Sequence, residues 1–286
     1  RTSELKVRVE VSRSHPVQAL MRCATNGKAL LWRSIRARGV AGATLRRSWN
    51  LGQAVLQLHI TDDIVARPPF GFCDVLINPA NEELVGTRLP YFPMHVEPPP
   101  ELQNSRWCGM EAGDKMFYPQ QVVDGRVHAL GGTELRQACT RLPEQAPGIK
   151  CRTGEAVVTP AGGELGQLFH HIVHAVPPHY ESDNWESCLL SCWQAGLKLA
   201  AGLSRAPRVA SPLLGAGARG APVEEASAVA VMAILGWSRM ASQGTICIAV
   251  REEAIAQLLE LKVQTALNSD AAEQHPQASG SFEEKK

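Results

Sequence analysis

Between Trp49 and Leu267 the apolar positions switch repeatedly between a period of two and a period of three to four, which predicts alternating strands and helices. Trp49, Leu51, Val55, Leu56, Leu58 and Ile60 read as one strand that ends at Thr61-Asp62-Asp63. Residues 73–77 (CDVLI) are a short, largely apolar run of the buried-strand type. Residues 124–142 place Val127, Leu130, Leu135 and Ala138 on one side of a helix, and Gly131-Gly132 weaken its middle. Strands are expected at 155–159, 169–176, 208–214 and 245–250. Helices are expected at 185–202, 224–240 and 252–267; in the first of these Trp185, Leu189, Cys192, Trp193 and Gly196 recur at helical spacing. This order predicts an α/β fold of three layers, α/β/α, around a mixed, mainly parallel sheet. Ligands of such sheets bind beyond the carboxyl ends of the strands, where the strand–helix loops gather.

Three segments interrupt the alternation. Residues 1–48 form a basic extension, in which Leu5, Val7, Val9 and Val11 alternate like a strand and residues 16–32 suit a short helix broken at Asn26-Gly27. Residues 85–121 form a long insertion with prolines at 90, 93, 98, 99, 100 and 119, expected to pack on a cleft mouth or on a partner. Residues 268–286 are polar and acidic and read as a disordered tail. The body is therefore 49–267.

Composition adds limits. The 286 residues are 44% hydrophobic and 20% charged, enough for a full core without disulfides or structural metals. No apolar run reaches the ~18 residues of a membrane-spanning helix. The net charge of +1 conceals an asymmetry: residues 1–50 carry eleven Lys/Arg against two Asp/Glu, +9, leaving 18 against 26, −8. A basic arm on an acidic body implies an anionic partner or a targeting segment; a solvated basic face is the plain alternative. Residues 22–47 have the Arg-rich, acid-poor composition of an organellar transit region, so a mitochondrial or plastid location stands beside a cytoplasmic or nuclear one. Residues 1–20 contain no apolar core of secretory type. The eight cysteines form no CxxC pair and no zinc-ligand spacing, so reduced, mostly buried thiols in an intracellular compartment are expected, with no metal and no cofactor.

Four loops after predicted strands carry unusual chemistry. In Ile60-Thr61-Asp62-Asp63-Ile64 an aspartate just past a strand suits an amino group of a base, or caps a turn. Asn78-Pro79-Ala80-Asn81 sets two amides three residues apart, for sugar hydroxyls or for a turn. In Val123-Asp124-Gly125-Arg126-Val127-His128 the aspartate opens a helix, either as its cap or to position a water. Gly215-Ala216-Gly217-Ala218-Arg219-Gly220 is a loop of small residues whose N–H groups suit a diphosphate.

In this order the four loops resemble the macrodomain family. Cys151-Arg152-Thr153-Gly154-Glu155-Ala156 resembles its Cys-x-Thr-Gly-x-Ala segment, and residues 172–178 resemble its Ile-His-x-Val-Gly-Pro strand. The resemblance runs from about Trp49 to Leu261. It implies ADP-ribose, or an ADP-ribosylated protein, as the ligand: Asp63 and Ile64 at the adenine, Asn81 at the distal ribose, and Gly215, Ala216, Gly217, Ala218, Arg219 and Gly220 around the diphosphate. It makes Asp124 and Asn81 the candidate catalytic residues of an ADP-ribosyl hydrolase, and His174 a structural histidine. The chain also departs from the family. Asn81 and Asp124 stand 43 positions apart where a short Gly-rich run is usual, and Gln120, Gln121 and Val122 replace its last glycines. Gly215-Ala216 replace a Ser/Thr pair, and Arg219 replaces an aromatic. The resulting expectation is a nucleotide binder with weak or lost hydrolysis. The alternative is a non-catalytic, macrodomain-derived structural subunit of a larger protein or ribonucleoprotein assembly, in an organelle or elsewhere, attached through the basic arm. Only Trp32 and Trp49 offer aromatic surface near that arm, which speaks against base stacking.

Overall fold

Seven strands and four helices make up the computed structural model, which describes residues 42–87, 122–180, 182–240 and 243–274. The strands are β1 (Thr44–Leu51), β2 (Ala54–Ile60), β3 (Cys73–Pro79), β4 (Ala156–Pro160), β5 (Phe169–Ala175), β6 (Arg208–Ser211) and β7 (Gly244–Val250). The helices are α1 (Val123–Arg141), α2 (Trp185–Leu203), α3 (Val223–Arg239) and α4 (Glu253–Gln274). One sheet holds all seven strands in the order β1-β2-β7-β6-β3-β5-β4. Its five inner strands are parallel, and only β1 and β4 at the edges run antiparallel to their neighbours.

The apolar runs explain this layering. Along β3, Val75 and Ile77 belong to one core and Leu76 to the other, so every residue from Val75 to Ile77 is fully buried. One core joins the sheet to α2, α3 and α4 through Trp193, Leu197, Ile234 and Leu259. The other joins it to α1 through Val127, Leu135 and Cys139. Side chains of this size contribute ~1.5–3 kcal/mol each when fully buried. Arg46 and Arg47 tie β1 to Glu253 and Glu260 of α4, partly exposed ion pairs that add little beyond the packing.

Several boundaries move. The strand expected from Trp49 to Ile60 is a hairpin, β1 and β2, turned at Gly52 with φ 69°. The sheet thus takes residues 44–48 from the basic extension. Gly132 (φ 57°, ψ −145°) breaks α1 where the glycine pair weakens it. At the other end α4 continues to Gln274, so the first residues of the expected tail are helical. The strand at 5–11, the helix at 16–32, most of the 85–121 insertion, and residues 275–286 lie outside the described residues.

Candidate functional site

Because β2, β3, β5, β6 and β7 are parallel, their carboxyl ends meet on one edge of the sheet. There the loops after them enclose a cleft of about 340 Å³. Asp63 and Ile64 line it after β2, Pro79 ends β3 on it, and Gly215, Ala216, Gly217, Ala218 and Arg219 line it after β6. Asp124 and Arg126 reach it from the first turn of α1. Of the residues expected at the site, Asn81 and Gly220 do not line the cleft. Gly220 is buried behind the loop, where its N–H donates to Gly217 O at 2.9 Å.

Asp63 realises the turn-capping alternative as well as its place on the cleft. Its Oδ1 accepts the N–H groups of Val65 and Ala66 at 3.1 and 3.0 Å. Its Oδ2 accepts Nε and Nη2 of Arg126 at 3.0 and 2.8 Å. Asn81 is spent on its own loop: Oδ1 accepts Val85 N–H at 3.2 Å and Nδ2 donates to Gly86 O at 3.3 Å. Gly86 is left-handed (φ 78°), and a Cβ there would stand 2.5 Å from the ring of His128, so only glycine lets this turn lie on α1. Thr87 follows, donating its hydroxyl to Asp124 Oδ2 at 3.0 Å and lining the cleft. Residues 85–87 are the described part of the insertion at this end, and of them Thr87 lines the cleft.

Asp124 does not cap α1. The helix begins one residue earlier, at Val123, with Val122 in the cap position making no side-chain cap bond, and Asp124 sits inside the first turn. There it is held from two sides, by Asn78 Nδ2 on Oδ1 at 2.9 Å and by Thr87 on Oδ2, and it is 5% exposed. A carboxylate in the first turn also gains from the helix dipole.

Behind Asp124 lies a buried polar cluster. His174, fully buried in β5, faces Asn78 Nδ2 through Nδ1 at 3.3 Å and Thr159 Oγ1 through Nε2 at 2.9 Å. Burial, assisted by nearby His128, pulls its pKa down to about 3. Cys139 Sγ lies 3.7 Å from the same Nε2, and burial first, then Asp124, pushes its thiol up to about 11. His128, Cys139 and His174 bring three metal-ligand atoms within 4.8 Å of one another. With Nδ1 facing the Asn78 amide donor, the His174 proton belongs on Nε2, directed at the threonine. That arrangement suits a hydrogen-bonded core rather than a metal centre.

Arg219 joins three loops. Its guanidinium meets His179 Nε2 after β5 and donates to Ala80 O after β3 at 3.2 Å, while its carbonyl accepts Tyr180 N–H at 2.9 Å. Burial, then Arg219, lowers the pKa of His179. The sequence reading did not single out Thr87 or Arg126. Arg126, two residues after Asp124 and hence on the opening turn of the same helix, is the one with a local signal.

The Macro domain family model matches residues 110–230. A macro domain-containing protein of Xanthomonas campestris pv. campestris is 35% identical over 119 residues, covering 41% of this chain and 64% of that protein. An O-acetyl-ADP-ribose deacetylase of Salmonella gallinarum is 31% identical over 118 residues, covering 39% and 60%. The chain therefore spans less than two thirds of the length of these relatives. The Oceanobacillus iheyensis macrodomain with ADP superposes with a TM-score of 0.59 at 20% identity, covering 78% of this chain and 97% of that one. The Trypanosoma brucei macrodomain in complex with ADP-ribose gives 0.50 at 19% identity, over 72% and 68%. The mixed seven-stranded sheet with four helices is the macrodomain α/β fold.

Proposed function

We propose that this chain, which carries a macrodomain, binds ADP-ribose or a protein-linked ADP-ribosyl group in the cleft beyond the sheet and turns it over weakly or not at all. The observation that carries the reading is the meeting of Asp63 and Ile64 with the loop from Gly215 to Arg219 around one cleft, with Asp124 beside them. Its volume lies within the ~300–1,000 Å³ usual for small-molecule sites. The carboxylate of Asp63 suits an exocyclic amine, and the small residues after β6 let a diphosphate approach backbone N–H groups. Arg219, fixed by His179 and Ala80, adds positive charge to that loop. Calorimetric titration with ADP-ribose tests the reading. Asp63→Ala is expected to weaken binding roughly ten- to a hundredfold, about 1–3 kcal/mol for a lost charge-assisted hydrogen bond. Equal affinities of mutant and wild type would take Asp63 out of the site.

Weak turnover follows from where the candidate catalytic residues stand. Asp124 is nearly buried, with a donor already on each oxygen, and a general base needs its water within roughly 2.6–3.2 Å. Asn81, expected at the distal ribose, is turned to its own loop. A misplacement that costs ~1.4 kcal/mol of barrier lowering is tenfold in rate. In single-turnover release of ADP-ribose from a mono-ADP-ribosylated protein, wild type and Asp124→Ala should be slow and within a few-fold of each other. Robust release that disappears in Asp124→Ala would make a hydrolase the leading function.

A further inference from the structure

A carboxylate offers about four lone-pair positions, two on each oxygen. At Asp63 all four are used: Val65 and Ala66 N–H on Oδ1, and Nε and Nη2 of Arg126 on Oδ2. The two backbone donors belong to the turn that Asp63 itself builds, and they stay as long as the loop keeps its shape. The Arg126 contact is different in kind. It comes from α1, sixty-three residues away, and the two side chains are 28% and 22% exposed on the cleft. A base that presents an exocyclic amine to Asp63 therefore meets an oxygen already holding a guanidinium. We propose that Arg126 sets the base selectivity of the cleft by occupying the acceptor position on Asp63 that an adenine amino group requires.

This inference rests on the cleft taking an ADP-ribose-type ligand. On that footing Arg126 works against adenine in two ways. It competes for Oδ2, and it places cationic N–H donors beside the edge of the base, where the adenine amine is also a donor. A 6-oxo purine carries an acceptor at the same position. It can accept from the guanidinium and leave the Arg126–Asp63 pair intact. A partly exposed ion pair is weak enough for a ligand to displace, so Arg126 lowers adenine affinity without abolishing it.

The test is calorimetric titration of the full chain with ADP-ribose and with its hypoxanthine counterpart, inosine diphosphate ribose. Arg126→Ala is expected to tighten ADP-ribose roughly two- to fivefold, the scale on which a partly exposed pair competes. The hypoxanthine ligand should stay unchanged or weaken. Arg126→Gln, which keeps much of the aliphatic stem on the helix, should show the same shift in the ratio of the two affinities, and thermal melting of each variant reports whether the fold is intact. Wild-type binding that neither substitution tightens, or an equal gain for both ligands, would overturn the role of Arg126 and leave the cleft reading standing. A wild-type protein and variants that bind neither ligand would overturn both.

Discussion

Lowering the pH from neutral to 5 should cost this fold about 2 kcal/mol of stability through His174 alone. The residue is fully buried, and its pKa falls from the ordinary 6.5 to about 3, first through burial and then through His128. The unfolded chain therefore binds a proton at pH 5 that the folded chain refuses. Stability rises with pH wherever the unfolded state holds more protons, so the contribution is intact above about 6.5 and is lost progressively as pH falls toward 3. Well below pH 6.5 the slope approaches ~1.4 kcal/mol per pH unit for one proton. The groups around His174 sharpen the point: the Asn78 amide on Nδ1, Thr159 and Cys139 near Nε2, and the His128 ring 6.1 Å away offer it no carboxylate. Asp124 lies one contact further out, behind Asn78 and His128. His59 and His179 also titrate low, chiefly through burial, so the measurement is a difference. Urea unfolding of wild type and His174→Gln at pH 7, 6 and 5 should show the wild-type curve falling more steeply by about one proton. Parallel slopes would mean that His174 accepts a proton in the folded state and that the core around it is not as dry as its burial implies.

What could be read in the sequence divides along physical lines. In β3 and β7 the short apolar runs from Val75 to Ile77 and from Ile246 to Val250 are buried on both faces, and such a run needs no partner to be seen; in β5 Ile172 and Val173 give the same signal among three histidines. The amphipathic stripe of α2 is equally local. The β1–β2 hairpin was hidden because the apolar alternation continues across Leu51-Gly52-Gln53-Ala54, and Gly-Gln is a quieter turn signal than Asn-Gly. At the site, Asp63, Asp124 and the loop from Gly215 to Arg219 were visible because each stands directly after a strand or at a helix start. Their partners were not. The Arg126–Asp63 and Asn78–Asp124 contacts join residues 63 and 46 positions apart, and no periodicity records such a pair. The same gap explains why Asp124 reads as a cap: the motif shows a carboxylate near a helix start, but only the fold shows that Val122 holds the cap position and that Asn78 and Thr87 claim the oxygens. Asn81 follows the turn alternative of its motif, and its partners Val85 and Gly86 come from the left-handed turn at the start of the insertion.

Filling the cleft should have the largest effect on binding with the least effect on the fold. Gly217 is the position for it. It lines the cleft and is exposed, its backbone is not left-handed, and a Cβ built on it meets nothing within 4 Å. Its neighbours would not serve as well. Gly215 has φ 84°, and a Cβ there would press on Leu189 at 3.0 Å; Gly220 is left-handed and buried. Gly217→Trp therefore adds a bulky ring at the cleft wall without asking the loop for a new conformation or the core for space. The turn bond from Gly220 N–H to Gly217 O uses backbone alone and survives the change. An indole is large against a cleft of about 340 Å³, so a ligand that lays its diphosphate along the loop from Gly215 to Arg219 meets it directly. ADP-ribose affinity is expected to fall at least a hundredfold, about 2.7 kcal/mol or more. The melting temperature should move by no more than the small change usual for surface substitutions. Calorimetric titration alongside thermal melting separates the two effects. If Gly217→Trp binds ADP-ribose as wild type does while remaining folded, the ligand does not occupy this cleft, and the assignment of Asp63, Ile64 and the loop after β6 as its walls falls with it.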